Sequence, residues 1–201
     1  MVVEKQRTLV IVSQNSSQMV RFRFNADKFV NAVTWFATQC ADSTKLKICK
    51  LLYYADKEHL ILCGRPIIGD TYYKLQNGPI PTVGLNILRG HSSPANEALA
   101  KEFFDVRGWR IIPKRDPDMS VFSKSDVRAL EYVRDNIGHL SAYALRDKSH
   151  KESWWNKTEF HSPIDFELLI EGDSEEAHQR RALLREEQEA RDTLRRYISV
   201  V

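Results

Sequence analysis

The stretch LKICKLLYYADKEHLILCGRP, residues 46–66, constrains the fold more than any other part of the chain. Ile48, Leu51, Leu52, Ala55, His59 and Leu62 recur at the three- and four-residue spacing of one helix face, which predicts a helix of about twenty residues. Leu46, Cys49, Tyr53 and Leu60 cover much of the opposite side. A helix that is apolar around most of its circumference needs neighbours on every side, so it belongs in the middle of the core. Gly64 suits a left-handed cap and Arg65-Pro66 blocks continuation, so the helix ends there.

The next residues are dense in turn signals: Gly69-Asp70, the strand-like Thr71-Tyr72-Tyr73-Lys74-Leu75, then Asn77-Gly78-Pro79-Ile80-Pro81. Asn-Gly marks a tight turn because both residues accept positive φ. Each X-Pro step drives the preceding residue into extended geometry, which makes Gly78 to Pro81 a stiff, non-helical corner. A fixed loop on a buried scaffold is a common place for recognition.

The run KLLYYADKEHLILCGRPIIGDTYYKLQNGPIPTVGLNIL resembles the core motif of the Panacea antitoxin domain, also called SocA-like, in which "K-L-x-Y-x-A-D" runs into "G-R-x-I-x-G-D-x-Y" and "G-P-x-P". The matching residues are Lys50, Leu51, Tyr53 or Tyr54, Ala55, Asp56, Gly64, Arg65, Ile67, Gly69, Asp70, Tyr72, Gly78, Pro79 and Pro81. Leu75-Gln76 stands where the family often has a small residue and then a charged one. A looser match follows in Leu140-Ser141-Ala142, with Ala144 replacing an acidic residue, and in Ser149-His150-Lys151-Glu152 with Trp154. The resemblance spans roughly residues 24 to 156. It implies an antitoxin that neutralises a cognate toxin, encoded by a neighbouring gene, through direct protein contact. A variant, also implied by the family, is an adaptor that hands its toxin to a Clp protease.

Composition sets looser bounds. The chain has 201 residues, 42% of them hydrophobic, enough for one domain with extensions and a real core. Thirty basic residues nearly balance 27 acidic ones, and a net charge of +3 does not select nucleic acid as a partner. Cys40, Cys49 and Cys63 have no paired short spacing and read as small buried side chains in a reducing cytosol. No apolar run approaches the roughly eighteen residues that span a bilayer, and the start lacks a signal-peptide core. A cytoplasmic protein without membrane contact is the expectation.

Before the central helix, Thr8 to Val12 and Met19 to Phe24 read as strands around a polar turn, either a hairpin or an arm that orders on a partner. Asn25 caps a helix carrying Phe29, Val33, Phe36, Ala37 and Cys40, and Asp42 or Ser43 caps the central one. Beyond the corner, Val83 to Leu88 is a short helix ended by Gly90. Ser93-Pro94 opens another that reaches about Phe104. Trp109 to Pro113 and Ser120 to Phe122 read as strands that could join Thr71 to Leu75 in one small antiparallel sheet. Ser123 and Asp126 make a capping box for a helix closed by Gly138, and Ser141 starts a further helix. From Gly172 the composition turns to Glu and Arg. Leu183, Ala190, Leu194, Tyr197 and Val201 form the thin stripe by which a solvated helix would rest on the domain. The expected fold is α-rich α+β: a helical domain over 25–170 around the buried helix with small antiparallel hairpins, an N-terminal hairpin or arm over 1–24, and a charged helix over 171–201.

Patterns with chemical potential have structural counterparts. Asp56 and His59 lie three apart on one helix, a spacing open to a shared metal, but two ligands make no site. The plainer role for Asp56 is to accept backbone N–H bonds from the turn, with Arg65 nearby. His150 with Glu152 could be an acid/base pair, yet no nucleophile motif or phosphate loop accompanies them, and a structural hydrogen bond from His150 is preferred. Arg107, Arg110, Lys114 and Arg115 around Trp109 could bind a stacked nucleotide, although a charged hairpin with a core tryptophan explains them as well. The expectation is therefore a non-enzymatic binding protein with no metal and no cofactor; a nucleic-acid-binding regulator is the alternative. Asp56, Arg65, Gly69, Asp70, Tyr72, Gly78, Pro79 and Pro81 would form the structural corner. Tyr54, Tyr73 and Ile80 would be the partner contacts, with Tyr72 in the core and Tyr73 pointing away from it.

Overall fold

Asn25 opens the first helix, α1 (Ala26–Gln39), its side chain accepting the Lys28 N–H at 3.0 Å. The computed structural model describes residues 19–198; the predicted strand Thr8 to Val12 lies outside them. Met19 to Phe24 alternates as predicted, with Val20 buried and Arg21 and Arg23 exposed, but pairs with no strand among the described residues. It lies between the end of the chain and the corner: Arg21 N–H donates to Gln188 and Asn25 N–H to the Ile68 carbonyl.

The central helix, α2 (Lys45–Cys63), is buried through most of its length and ends at Gly64 with φ +72°. Its cap is Thr44 rather than Asp42 or Ser43. Asp42 instead takes a left-handed φ of 59°, and Ser43 spends its hydroxyl on the Ile111 carbonyl. Leu62 is 62% exposed because it falls in the last turn, beyond the surrounding elements. Of the three cysteines expected to be buried, only Cys49 is; Cys63, in the same last turn, is exposed. Two buried lysines, Lys47 and Lys50, share the helix with the apolar residues.

The turn-rich stretch folds into a hairpin, β1 (Tyr72–Leu75) and β2 (Gly78–Pro81), paired Tyr72↔Pro81 through Leu75↔Gly78. Gly78 alone of the Asn-Gly pair has positive φ. Then come α3 (Thr82–Arg89), α4 (Pro94–Phe103) and a second hairpin, β3 (Phe104–Arg107) with β4 (Arg110–Pro113). The single sheet expected across Thr71 to Phe122 is thus two separate hairpins. β4 pairs with the residues just beyond α4, and Met119–Val121 is a 3₁₀ turn because Asp118 takes the Ser120 N–H and hydroxyl.

Helix α5 (Lys124–Ile137) starts at the predicted Ser123–Asp126 capping box, and α6 (Ala142–Ser149) starts at Ser141. After α7 (Ser153–Lys157), residues 161–164 run along the outer edge of β1: Ile164 N–H donates to Tyr72 O at 2.8 Å, and Lys74 N–H to Ser162 O at 3.0 Å. The last helix, α8 (Glu175–Ile198), rests on the domain through Ala177, Leu184 and Gln188. The predicted stripe is the wrong face: Leu183, Leu194 and Tyr197 are exposed. The arrangement is an α-rich α+β fold of eight helices and two antiparallel hairpins among the described residues. No helix among them is long and apolar enough to cross a membrane.

Candidate functional site

The site is the elbow formed by residues 64–81 and its supports on α2. Asp56, buried midway along α2, accepts the Ile67 and Ile68 N–H groups on Oδ1 at 2.8 and 2.9 Å, and the Tyr72 hydroxyl on Oδ2 at 3.0 Å. Burial pushes its carboxyl up to about 7, against the lowering effect of those three donors. Asp56 therefore fixes the chain where it leaves the helix cap, the role its place in the sequence suggested. Tyr72 is a core residue, packed edge-on against Tyr53 and Phe166.

Asp70 performs the matching task at the far side. Helix α3 begins after Pro81, which has no capping side chain, and Asp70 supplies one by accepting the Val83 and Gly84 N–H groups at 3.1 and 2.7 Å. Between the two carboxylates stands Gly69 at φ +68°, where a Cβ would meet the Arg23 carbonyl oxygen at 2.6 Å. Gly78, at φ +80°, is as confined, its missing Cβ pointing at Ser149 Oγ and Lys50 Nζ. Lys50 Nζ donates to the Pro79 carbonyl at 2.7 Å, and burial lowers its pKa to about 7. Pro79 and Pro81 are both buried.

Arg65 does not assist Asp56. Its guanidinium lies 3.2 Å from Asp126 at the start of α5, in a cluster with Lys28 and His59. His59 Nδ1 faces the Arg65 carbonyl at 2.7 Å, which accepts, so the proton sits on Nδ1; Nε2 faces Ser125 Oγ at 3.0 Å. Burial lowers the pKa of this imidazole. Asp56 and His59 thus address different partners. Among the described residues, no group of three or more His, Cys, Asp or Glu side chains is placed to hold a metal.

Nor does the structure join His150 to Glu152. His150 stacks on Trp155 at 3.6 Å, and its buried Nε2 makes no hydrogen bond, contrary to the bond expected of it. Glu152 Oε2 instead gathers the Tyr53 hydroxyl, the Lys57 ammonium and the Trp154 indole N–H. Ser149 Oγ, beside Lys50, donates to the Arg146 carbonyl.

Of the three expected contact residues, Tyr54 and Ile80 are buried and Tyr73 is half-buried. Tyr54 spends its hydroxyl on the Leu145 carbonyl at 3.3 Å. The aromatic surface that does face outward includes one ring the sequence left open between core and surface, and one it did not single out. Trp109 is 79% exposed at the tip of the second hairpin, not in the core, and Tyr143 is 61% exposed on the first turn of α6. The basic residues near Trp109 are drawn to carboxylates, Arg107 and Lys114 to Asp105 and Arg110 to Asp42. The Gly108-Trp109 step, a bulky ring beside a turn glycine of φ +59°, was the available signal for a surface position. Trp109 and Tyr143 line a groove of about 740 Å³ together with Leu46, Leu75, Ile80 and Leu85, beside Gln76 and Asn77 of the β1–β2 turn.

Comparison with curated proteins and with solved structures finds no significant match. The family model of the antitoxin SocA-like Panacea domain matches residues 48–156, just over half of the chain. That span starts inside α2 and ends inside α7, so it takes in the elbow, both carboxylates that anchor it, and the buried lysine beneath it. The chain belongs to the family of antitoxin SocA-like Panacea domains.

Proposed function

We propose that the protein is a non-enzymatic cytoplasmic antitoxin that neutralises a cognate toxin, encoded beside it, by direct protein contact. The family match carries this reading. Its physical support is a scaffold whose titratable core groups are committed to structure: Asp56 and Asp70 to backbone N–H groups, Lys50 to a backbone carbonyl, Glu152 to three donors. A surface held so rigidly loses little conformational freedom on association, which favours tight capture of another polypeptide.

The test is co-expression with the product of the neighbouring reading frame, followed by purification and assay of toxin activity with and without the antitoxin. The reading requires restored growth, a stable complex, and inhibition of the purified toxin without any protease. Inhibition that appears only when a Clp protease is added would make the protein an adaptor. Growth arrest that persists with no complex would refute the assignment.

A further inference from the structure

We propose that the groove between the two hairpins takes a toxin segment that presents a bulky apolar side chain with acidic side chains beside it. This rests on the antitoxin reading and names the surface and the chemistry it would use.

The apolar half of the argument is the exposure of two large rings in an apolar groove. Trp109 and Tyr143 are both exposed and both line the groove, together with Leu46, Ile80 and Leu85. Exposed aromatics rimming an apolar depression are the signature of an interaction site, and Trp and Tyr supply contact area with few torsions to freeze. Trp109 is also mounted rigidly. Its carbonyl accepts the Lys45 N–H at 2.8 Å, and Ile111 N–H next along the hairpin donates to Ser43 O at 2.9 Å. The backbone is fixed while the ring stays exposed.

The charge on the rim selects the partner. Lys45 and Arg89 both line the groove, and neither has an ion-pair partner among the described residues; Lys45 Nζ lies 5.7 Å from the Trp109 ring. The one carboxylate on the rim, Asp42, already faces Arg110 at 3.9 Å. Two helices, α2 and α6, open at the groove with Thr44 and Ser141 as caps, and neither has an acidic residue in its first turn. Their positive ends therefore add to the two cations instead of being neutralised. Arg89 stands in the last turn of α3, whose negative end offsets part of its charge, yet the lining still carries two cations without a carboxylate partner among the described residues; it complements carboxylates beside an apolar side chain and repels a basic segment.

The test uses the full-length protein with its co-expressed toxin. A photo-crosslinking p-benzoylphenylalanine is placed at Tyr143, with a control at Tyr132, which is exposed on α5 away from the groove lining. Separately, Lys45→Glu and Arg89→Glu are combined; an acid in the first turn of α2 favours that helix while one in the last turn of α3 disfavours it, so the two effects on the fold oppose each other, and the unfolding midpoint is measured alongside binding. The expected result is toxin crosslinked from position 143 and not from 132, at a peptide containing Asp or Glu beside a large apolar residue. The double reversal should weaken binding by about tenfold or more, mostly through slower association, with an unchanged unfolding midpoint. Trp109→Ala should weaken it by about thirtyfold. A wild-type complex that forms normally, crosslinks only from 132 and tolerates the double reversal would overturn the groove and leave the antitoxin reading intact. Failure of the wild-type protein to bind or neutralise the toxin at all would remove both.

Discussion

Lys50 Nζ, within the central helix, donates to the carbonyl of Pro79 at 2.7 Å in the second strand of the elbow, with no carboxylate as its partner. A buried ammonium held by a carbonyl alone keeps most of its desolvation cost, which is why its pKa falls to about 7. The unfolded chain titrates this lysine near 10.5, so between pH 7 and 10.5 the unfolded state binds more protons than the folded one. Stability from this group is therefore complete above pH 10.5 and is lost as pH falls towards 7, at up to about 1.4 kcal/mol per pH unit. Urea unfolding at pH 7, 8 and 9 should show stability rising with pH in the wild type and a flatter profile in Lys50→Met. Parallel profiles would show that the lysine is not the group that titrates.

Asp56 has the opposite sign. Its folded carboxyl is raised by burial to about 7 from 3.8, so its contribution is full below pH 3.8 and is lost as pH rises through 7. Asp56→Ala leaves the Ile67 and Ile68 N–H groups and the Tyr72 hydroxyl without an acceptor, at a cost of about 3 kcal/mol or more. Asp56→Asn keeps an oxygen for the two N–H groups and carries no charge, so it should cost less than half as much. The gap between Asn and wild type should close as pH goes from 5 to 8. Calorimetric melts of the three proteins at both pH values check this, and a gap that widens with pH would contradict it.

Two glycines separate conformational strain from collision. Gly64 and Gly69 have nearly the same φ, +72° and +68°, but nothing lies within 4 Å of a Cβ at Gly64, whereas one at Gly69 meets the Arg23 carbonyl oxygen at 2.6 Å. Gly64→Ala should cost about 1 kcal/mol, the left-handed penalty alone. Gly69→Ala should cost at least about 1–3 kcal/mol more, because the segment around Arg23 must be pushed off the elbow. Limited proteolysis near Arg23 should quicken in Gly69→Ala only, and equal losses in the two variants would show that the close approach carries no weight.

What the sequence discloses here is what local chemistry decides. The Gly64 cap, the Ser123–Asp126 box and the Ser93 and Ser141 caps involve neighbours within a few residues, and all form as read. Asp56 was legible because the N–H donors to its carboxylate follow only eleven and twelve residues later, just past the helix cap. The buried lysines were not legible. Lys47, Lys50 and Lys74 are buried by carbonyls of Ala41, Pro79, Trp155 and Thr158, and a carbonyl leaves no mark on the side-chain pattern. Phe104 to Arg107 has the alternation of a strand, yet it follows a helix directly, and the boundary falls where the backbone turns extended at Phe104, which no side-chain pattern marks.

The last helix shows how a helical period can be right and its buried face wrong. Leu183, Ala190, Leu194 and Tyr197 make a thin apolar stripe in sequence, which continues to Val201, outside the described residues, but the docked face is Ala177, Leu184 and Gln188. Polar anchors choose it: Gln188 Oε1 accepts the Arg21 N–H at 2.9 Å, Arg181 donates to the Ile170 and Gly172 carbonyls, and Arg185 pairs with Glu167. Arg191 adds its guanidinium over the Phe22 ring at 4.9 Å. Removing the side chain of Leu184, which is 2% exposed, should therefore cost about 2–3 kcal/mol, while Leu183→Ala, at a residue 58% exposed, should cost less than about 0.5 kcal/mol. Gln188→Ala should fall between them, since it strips a partly buried backbone N–H of its acceptor. Hydrogen exchange can read all three variants. Leu184→Ala and Gln188→Ala should speed exchange along α8 and at Arg21 together, because those segments hold each other. If Leu183→Ala loosens the helix and Leu184→Ala does not, the helix docks by its other face.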